Sequence, residues 1–210
     1  MYNMGKIRRD PYGNIPKCTD LILEPGKIGL PKGVKKYENA TLTLLDLHRP
    51  KPKQIEWCSK NSYVIVPGPP KPMNLIAIHK MAGDFFCTRK NPWFAYEDSI
   101  NKDRAESRWY IVRNSVLENS ENKTLTEQMA LMRHKETLLN MAEVAWLEII
   151  SKINFKSFLL PAYSTRTSTV FMKGRNICIG GSKISGISVS KCHDNTVKCR
   201  TIGLLTQLIL

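Results

Sequence analysis

No apolar run of about 18 residues or more, the length a membrane-crossing helix needs, occurs in this 210-residue chain. Nor does the segment from Met1 to Asp10 carry the apolar core of a secretory signal, and it is too short and too poor in serine for a transit peptide. A cytoplasmic protein is therefore expected. Acidic residues are scarce at the C-terminal end: residues 151–210 hold 9 Lys and Arg against 1 acid, Asp194. Chemistry that needs paired carboxylates is thus not expected there. No G-x-S-x-G elbow occurs, and His48, His79 and His134 stand without a nearby nucleophile. His193 has Asp194 beside it, but sequence neighbours seldom orient one another.

The six cysteines show no repeated spacing, and in a cytoplasmic chain they are expected as reduced, partly buried thiols rather than disulfides. Cys178, Cys192, His193 and Cys199 form the one set with zinc-ligand chemistry. Their spacing argues against it, because paired ligands two to four residues apart are missing and adjacent residues of a strand face opposite ways. No metal, cofactor or catalytic residue is assigned, and an enzyme ranks below a binding protein.

What the chain does have is positive charge, +14 overall. Residues 1–90 carry 16 Lys and Arg against 7 acids, while residues 91–150 carry 7 against 10. Basic ends around an acidic middle fit a polyanion partner, nucleic acid or an anionic membrane surface; they fit equally a solubilising surface. The candidate polyanion contacts are Lys6, Arg8, Arg9, Lys35, Lys36, Lys173, Arg175, Lys183, Lys191, Lys198 and Arg200. Around the first of these, aromatics are not interleaved as a platform for single strands requires.

The clearest helix signals lie between Lys123 and Ile153. Thr124 and Glu127 have the spacing of a capping box, and Asn140 with Glu143 repeats it. Two helices are expected, one burying Leu125, Met129 and Met132, the other Ala142, Ala145, Trp146, Ile149, Ile150 and Ile153. Glu143, Glu148 and Lys152 are left for solvent. One unbroken helix from Thr124 to Ile153 is the competing reading, since no Gly or Pro forces a break.

Before this stretch, prolines at 11, 16, 25 and 31 exclude a long helix from residues 1–36, which read as an extended basic arm with a possible short strand at Cys18 to Leu23. Residues 37–92 suit small helices at Asn39 to His48, Lys53 to Lys60 and Met73 to Met81, and a strand at Tyr63 to Val66. The proline-rich run from Pro67 to Pro72 suits a rigid connector better than an SH3 or WW ligand. Phe85, Phe86, Trp93, Phe94 and Tyr96 suit a small core better than a binding platform. Ala105 to Arg113, with Trp109, Ile111 and Val112, reads as a strand-like stretch. After the helices, Ile177 and Ile179, then Ile187 and Val189, alternate between glycines, the pattern of short strands with one buried face. Gly180 to Lys183 reads as a hairpin turn rather than a phosphate loop.

The expected architecture is α+β, two central helices packed on a C-terminal antiparallel β module, with an extended basic N-terminal segment. Its units would be 1–36, 37–92 and 93–210, with helices at about 124–153 and strands at about 158–205. The expected function is binding, with the C-terminal β module presenting the contact surface to a protein or carbohydrate ligand; nucleic-acid binding through the basic ends is the alternative. The oligomeric state is open.

Several segments carry a resemblance. DLHRPKP from Asp46, IVPGPPKPM from Ile65, SRWYIVR from Ser107, KTLTEQ from Lys123 and RTS from Arg166 resemble a family of uncharacterised bacterial proteins. In that family the Arg-Thr-Ser stretch precedes an acidic loop, two glycine-bearing strands and a closing hydrophobic-Gly-hydrophobic segment. Gly174, Ile177 to Gly180, Gly186-Ile187 and Ile202 to Leu204 fall at matching spacings. The resemblance spans roughly residues 40–205 and implies a domain layout, with no activity. Two departures stand out: Thr169 to Lys173 replaces the acidic loop, and Leu204 to Gln207 lacks the family's small residue and arginine. The glycine-rich C-terminal texture also resembles the ligand-displaying end of C-type-lectin-like folds.

Overall fold

Asn140 caps the helix on which the rest of the protein packs. Its side chain accepts from the Glu143 amide at 2.9 Å, and the Glu143 carboxylate accepts from the Asn140 amide at 2.8 Å. In the computed structural model, which describes residues 22–98, 100–171, 174–182, 184–192 and 194–209, this helix runs Met141–Phe155. In chain order the helices are α1 (Asn39–Leu47), α2 (Pro52–Lys60), α3 (Leu75–Ala82), α4 (Leu125–Met129) and α5 (Met141–Phe155). The strands are β1 (Tyr63–Pro67), β2 (Met73–Asn74), β3 (Arg104–Ala105), β4 (Trp109–Arg113), β5 (Glu136–Leu138), β6 (Ser164–Phe171), β7 (Arg175–Ser182), β8 (Gly186–Lys191), β9 (Ile202–Gly203) and β10 (Thr206–Leu208). The protein is α+β, and none of the described helices is long and apolar enough to cross a membrane.

Two four-stranded sheets enclose α5. The first has the order β1-β4-β10-β5 and is antiparallel throughout. Its inner face, Val64, Val66, Tyr110 and Val112, joins α5 in the main core, while Tyr63, Ile65, Trp109 and Ile111 on the outer face pack with Leu45 of α1 and Cys58 of α2. Both the sheet and the core thus join residues on either side of position 92. The second sheet, order β8-β7-β6-β9, turns Ile177, Ile179 and Ile187 to the same core from the opposite side. Strand alternation places these three inward, as their period of two predicts. The Pro67 to Pro70 stretch is buried rather than displayed, and its carbonyls are engaged: Trp146 donates to Pro67 and Tyr37 to Gly68. It is a connector held inside the fold.

Several sequence expectations require correction. Every residue from Met141 to Ser151 is buried, because α5 is covered by the first sheet, α3 and β7. Glu143 and Glu148 therefore do not face solvent. Glu143 closes the cap and meets Arg108 at 3.0 Å; Glu148 accepts from the amides of Leu159 at 2.7 Å and Leu160 at 3.2 Å. The helix starting at Thr124 is short, and its buried residue is Gln128, while Met129 is exposed. With β5 between α4 and α5, the unbroken helix is excluded. Gly180 and Gly181 lie within β7 rather than in a turn, and the chain reverses later, where Gly186 has φ 86°. Finally, Cys178 and Cys192 form a disulfide with Cα atoms 5.2 Å apart, where free thiols were expected. Cys58, Cys87 and Cys199 are free.

Candidate binding face of the C-terminal sheet

The side of the second sheet turned away from α5 is built from the other half of each strand's alternation. Register places Ser164, Gly180 and Ser188 in one row across β6, β7 and β8, and Arg166, Cys178 and Ser190 in the next. The two rows meet different surroundings. Arg166 is only 1% exposed, since α4 and the segment after β8 lie over it. Its guanidinium donates to Gln128 Oε1 at 2.8 Å, to the Val197 carbonyl at 2.8 Å and to the Lys123 carbonyl at 3.2 Å. Gln128 in turn donates to the carbonyls of Ser120 and Ile202. A buried polar network of this kind is costly to break, because each orphaned group keeps its desolvation penalty. Gln128→Leu is accordingly expected to cost about 1–3 kcal/mol in urea denaturation.

The row of Ser164, Gly180 and Ser188 remains open. There the face forms a groove of about 250 Å³, also lined by Pro161, Ala162, Tyr163, Ser182 and Thr201. A Cβ on Gly180 would overlap the Tyr163 carbonyl oxygen; glycine is what lets this segment approach the sheet so closely. The lining is hydroxyl groups, exposed backbone and one partly exposed phenol ring, without a charged side chain. Beneath it, burial pushes the Glu148 carboxyl up to about 7, against opposing hydrogen bonds from the amides of Leu160, Leu159 and Gly181. That carboxyl ties α5 to the loop and strand that shape the groove.

A larger groove of about 520 Å³ lies at the end of α3, bordered by Lys80, Asp84, Arg89, Asn91 and Tyr96. Tyr96 is exposed, whereas Phe86 and Phe94 are buried and Trp93 donates its indole N–H to the Val189 carbonyl. The aromatic cluster is thus mainly core, as expected, with Tyr96 the exception. His79 packs against Phe86 and Phe94, with Nε2 at 2.7 Å from the Thr88 carbonyl, so it is already engaged.

Among the described residues, the candidate polyanion contacts fall in two regions. Lys35 and Lys36 are exposed next to Tyr37, which belongs to the core beneath α1 and α2 on the first sheet's outer face. Arg175, Lys191, Lys198 and Arg200 are exposed near the second sheet. Of these, Lys198 pairs with Glu127 at 2.9 Å, and Lys191 lies over the rings of Trp93 and Phe171. Lys6, Arg8, Arg9, Lys173 and Lys183 lie outside the described residues, as do His193 and most of the 1–36 arm. The structure does bring together Cys178, Cys192 and Cys199, which pack in one cluster with Ile202. Among the described residues no group of three or more His, Cys, Asp or Glu is arranged to hold a metal ion.

The sequence reading expected a contact surface on the glycine-bearing C-terminal strands, where this groove lies, and did not single out Pro161, Tyr163, Ser164, Ser188 and Thr201, which line it. Serines alternating with apolar residues in β8 were the available signal. No known protein family, no curated protein and no solved structure matches this chain.

Proposed function

We propose that this chain is a non-enzymatic binding protein of the bacterial cytoplasm whose contact surface is the open row of the C-terminal sheet. The observation that supports it is the groove itself: a concavity of hydroxyl groups and backbone beside the Tyr163 ring, with no acid, base or nucleophile pair in it. Such a lining suits a neutral, polyhydroxylated ligand, a carbohydrate, which offers hydroxyls to the serines and an apolar ring face to the tyrosine. The test is an array of immobilised neutral oligosaccharides probed with the wild type and with Ser188→Arg, which puts a long charged side chain into the groove. Saturable binding to a subset of sugars is expected, reduced at least about tenfold, or about 1.4 kcal/mol, in the variant. Equal binding by the two proteins, or none by either, would sink the reading.

The net charge of +14 supports a second reading, nucleic-acid binding through the basic ends. It predicts retention on immobilised DNA that falls steeply as salt rises. Elution at low salt, together with a Ser188→Arg-sensitive sugar signal, separates the first reading from the second.

A further inference from the structure

We propose that Cys199 and the Cys178–Cys192 disulfide form a thiol–disulfide exchange site, in which Cys199 attacks Cys192 and Cys178 leaves beside Arg166. Three observations carry it, all apart from the groove. Cys199 is a free cysteine packed against the cluster that the two bonded cysteines form with Ile202, and it is partly exposed while they are buried. Arg166 stands directly opposite Cys178 in the β6–β7 register, and facing residues of paired strands turn their side chains to the same side. Its Nε is buried and, among the described residues, has no hydrogen-bond partner, although Nη1 and Nη2 are satisfied. A buried arginine with no carboxylate partner and one idle donor is costly unless an anion forms beside it.

The step balances without an outside oxidant. The Cys199 thiolate attacks Cys192 Sγ, a Cys192–Cys199 bond forms, the Cys178–Cys192 bond breaks, and the electron pair departs on Cys178 Sγ. One thiolate is consumed and one released. Arg166 serves both ends: its charge acts on Cys199, and it stands opposite the residue that carries the leaving sulfur. Cys199 is further prepared by Thr201, whose hydroxyl lies 3.4 Å from its sulfur. The Thr201 hydroxyl and amide, with a smaller contribution from the Arg166 guanidinium, hold the thiol below its ordinary range. The consequence is mechanical, since the link would move from the β7–β8 hairpin into the loop that covers Arg166. In a cytoplasm, where disulfides are usually transient and redox-sensing, this is the role such a bond would have.

Trypsin separates the three sulfurs, because Arg175, Lys183, Lys191, Lys198 and Arg200 place them on peptides 176–183, 192–198 and 199–200. The oxidised protein, held at pH 8 and then blocked with N-ethylmaleimide before digestion, is expected to carry label on both Cys178 and Cys199. Cross-linked peptides 192–198 and 199–200 should accompany it. Cys199→Ser should remove that cross-link and leave Cys178 unlabelled. Cys178→Ser, treated with oxidised glutathione, should yield a Cys192–Cys199 disulfide. Label confined to Cys199 at all times, or separate glutathione adducts on Cys192 and Cys199 in the second variant, would overturn the proposal. So would recovery of all three as free thiols with a bound metal ion.

Discussion

Trp146→Ala is expected to cost about 3–5 kcal/mol, read as a fall in the urea midpoint at unchanged slope. Trp146 is 0% exposed and among the largest fully buried side chains in the protein. It sits on α5 within the main core, so its removal leaves a large cavity there. The transfer loss and the cavity then add, because a helix clasped from both sides has little freedom to collapse inward. A second loss follows from the indole N–H, which donates to the Pro67 carbonyl at 3.0 Å. Pro67 lies in a buried connector, and its carbonyl would be left without that donor. Trp146→Phe separates the two contributions, since it keeps most of the volume and should lose only about 1–3 kcal/mol. A loss below about 1 kcal/mol for the alanine variant would show that α5 is not packed as described.

Glu148 carries the second large effect, and its sign follows from linkage. Burial raises its pKa from 4.5 to about 7 in the folded protein, so the folded state holds a proton that the unfolded chain gives up. Stability from this group is complete below pH 4.5 and is lost as pH rises through about 7. At about 1.4 kcal/mol per pH unit, the loss amounts to roughly 3 kcal/mol. Glu148→Gln cannot ionise. Its amide mismatches one of the backbone donors, so it should be the less stable protein near pH 4; by pH 8 the difference should move by roughly 3 kcal/mol in its favour. Comparison of the two proteins isolates this group from Glu136 and Glu143. For Glu136, burial pushes the carboxyl up, but hydrogen bonds from Tyr63, the Arg133 amide and Arg113 outweigh it and hold it below the ordinary range. Parallel urea profiles between pH 4 and 8 would refute the assignment.

How much of this was legible before the structure differs by kind of signal. Caps were legible because they are local: Thr124 with Glu127 and Asn140 with Glu143 form the reciprocal bonds that their spacing predicts. The inward isoleucines of β7 and β8 were legible for the same reason. What failed was inference about the far side of each element. Period alone shows one apolar stripe on α5, and only the arrival of a sheet on each side explains why Glu143 and Glu148 are buried as well. The burial of Gln128 was illegible because its partners Arg166 and Ile202 come from remote segments. The disulfide was illegible because Cys178 and Cys192 meet only once β7 and β8 are paired. The groove was half legible: its glycines could be noticed, but Tyr163 and Thr201 border it only through β6 and the segment before β9.

The place of β10 in the first sheet bears on how quickly the protein can fold. Strand order puts β10 between β4 and β5, although it follows every other strand in the chain. One of its contacts, Arg108 to Gln207, joins positions 99 apart. Contacts of such long sequence separation form slowly, because the loop between them must close first. Until β10 docks, the edges of β4 and β5 that it will occupy stay unpaired and open to strands of other molecules. Refolding yield should therefore fall with protein concentration, through a competition for one late-arriving strand.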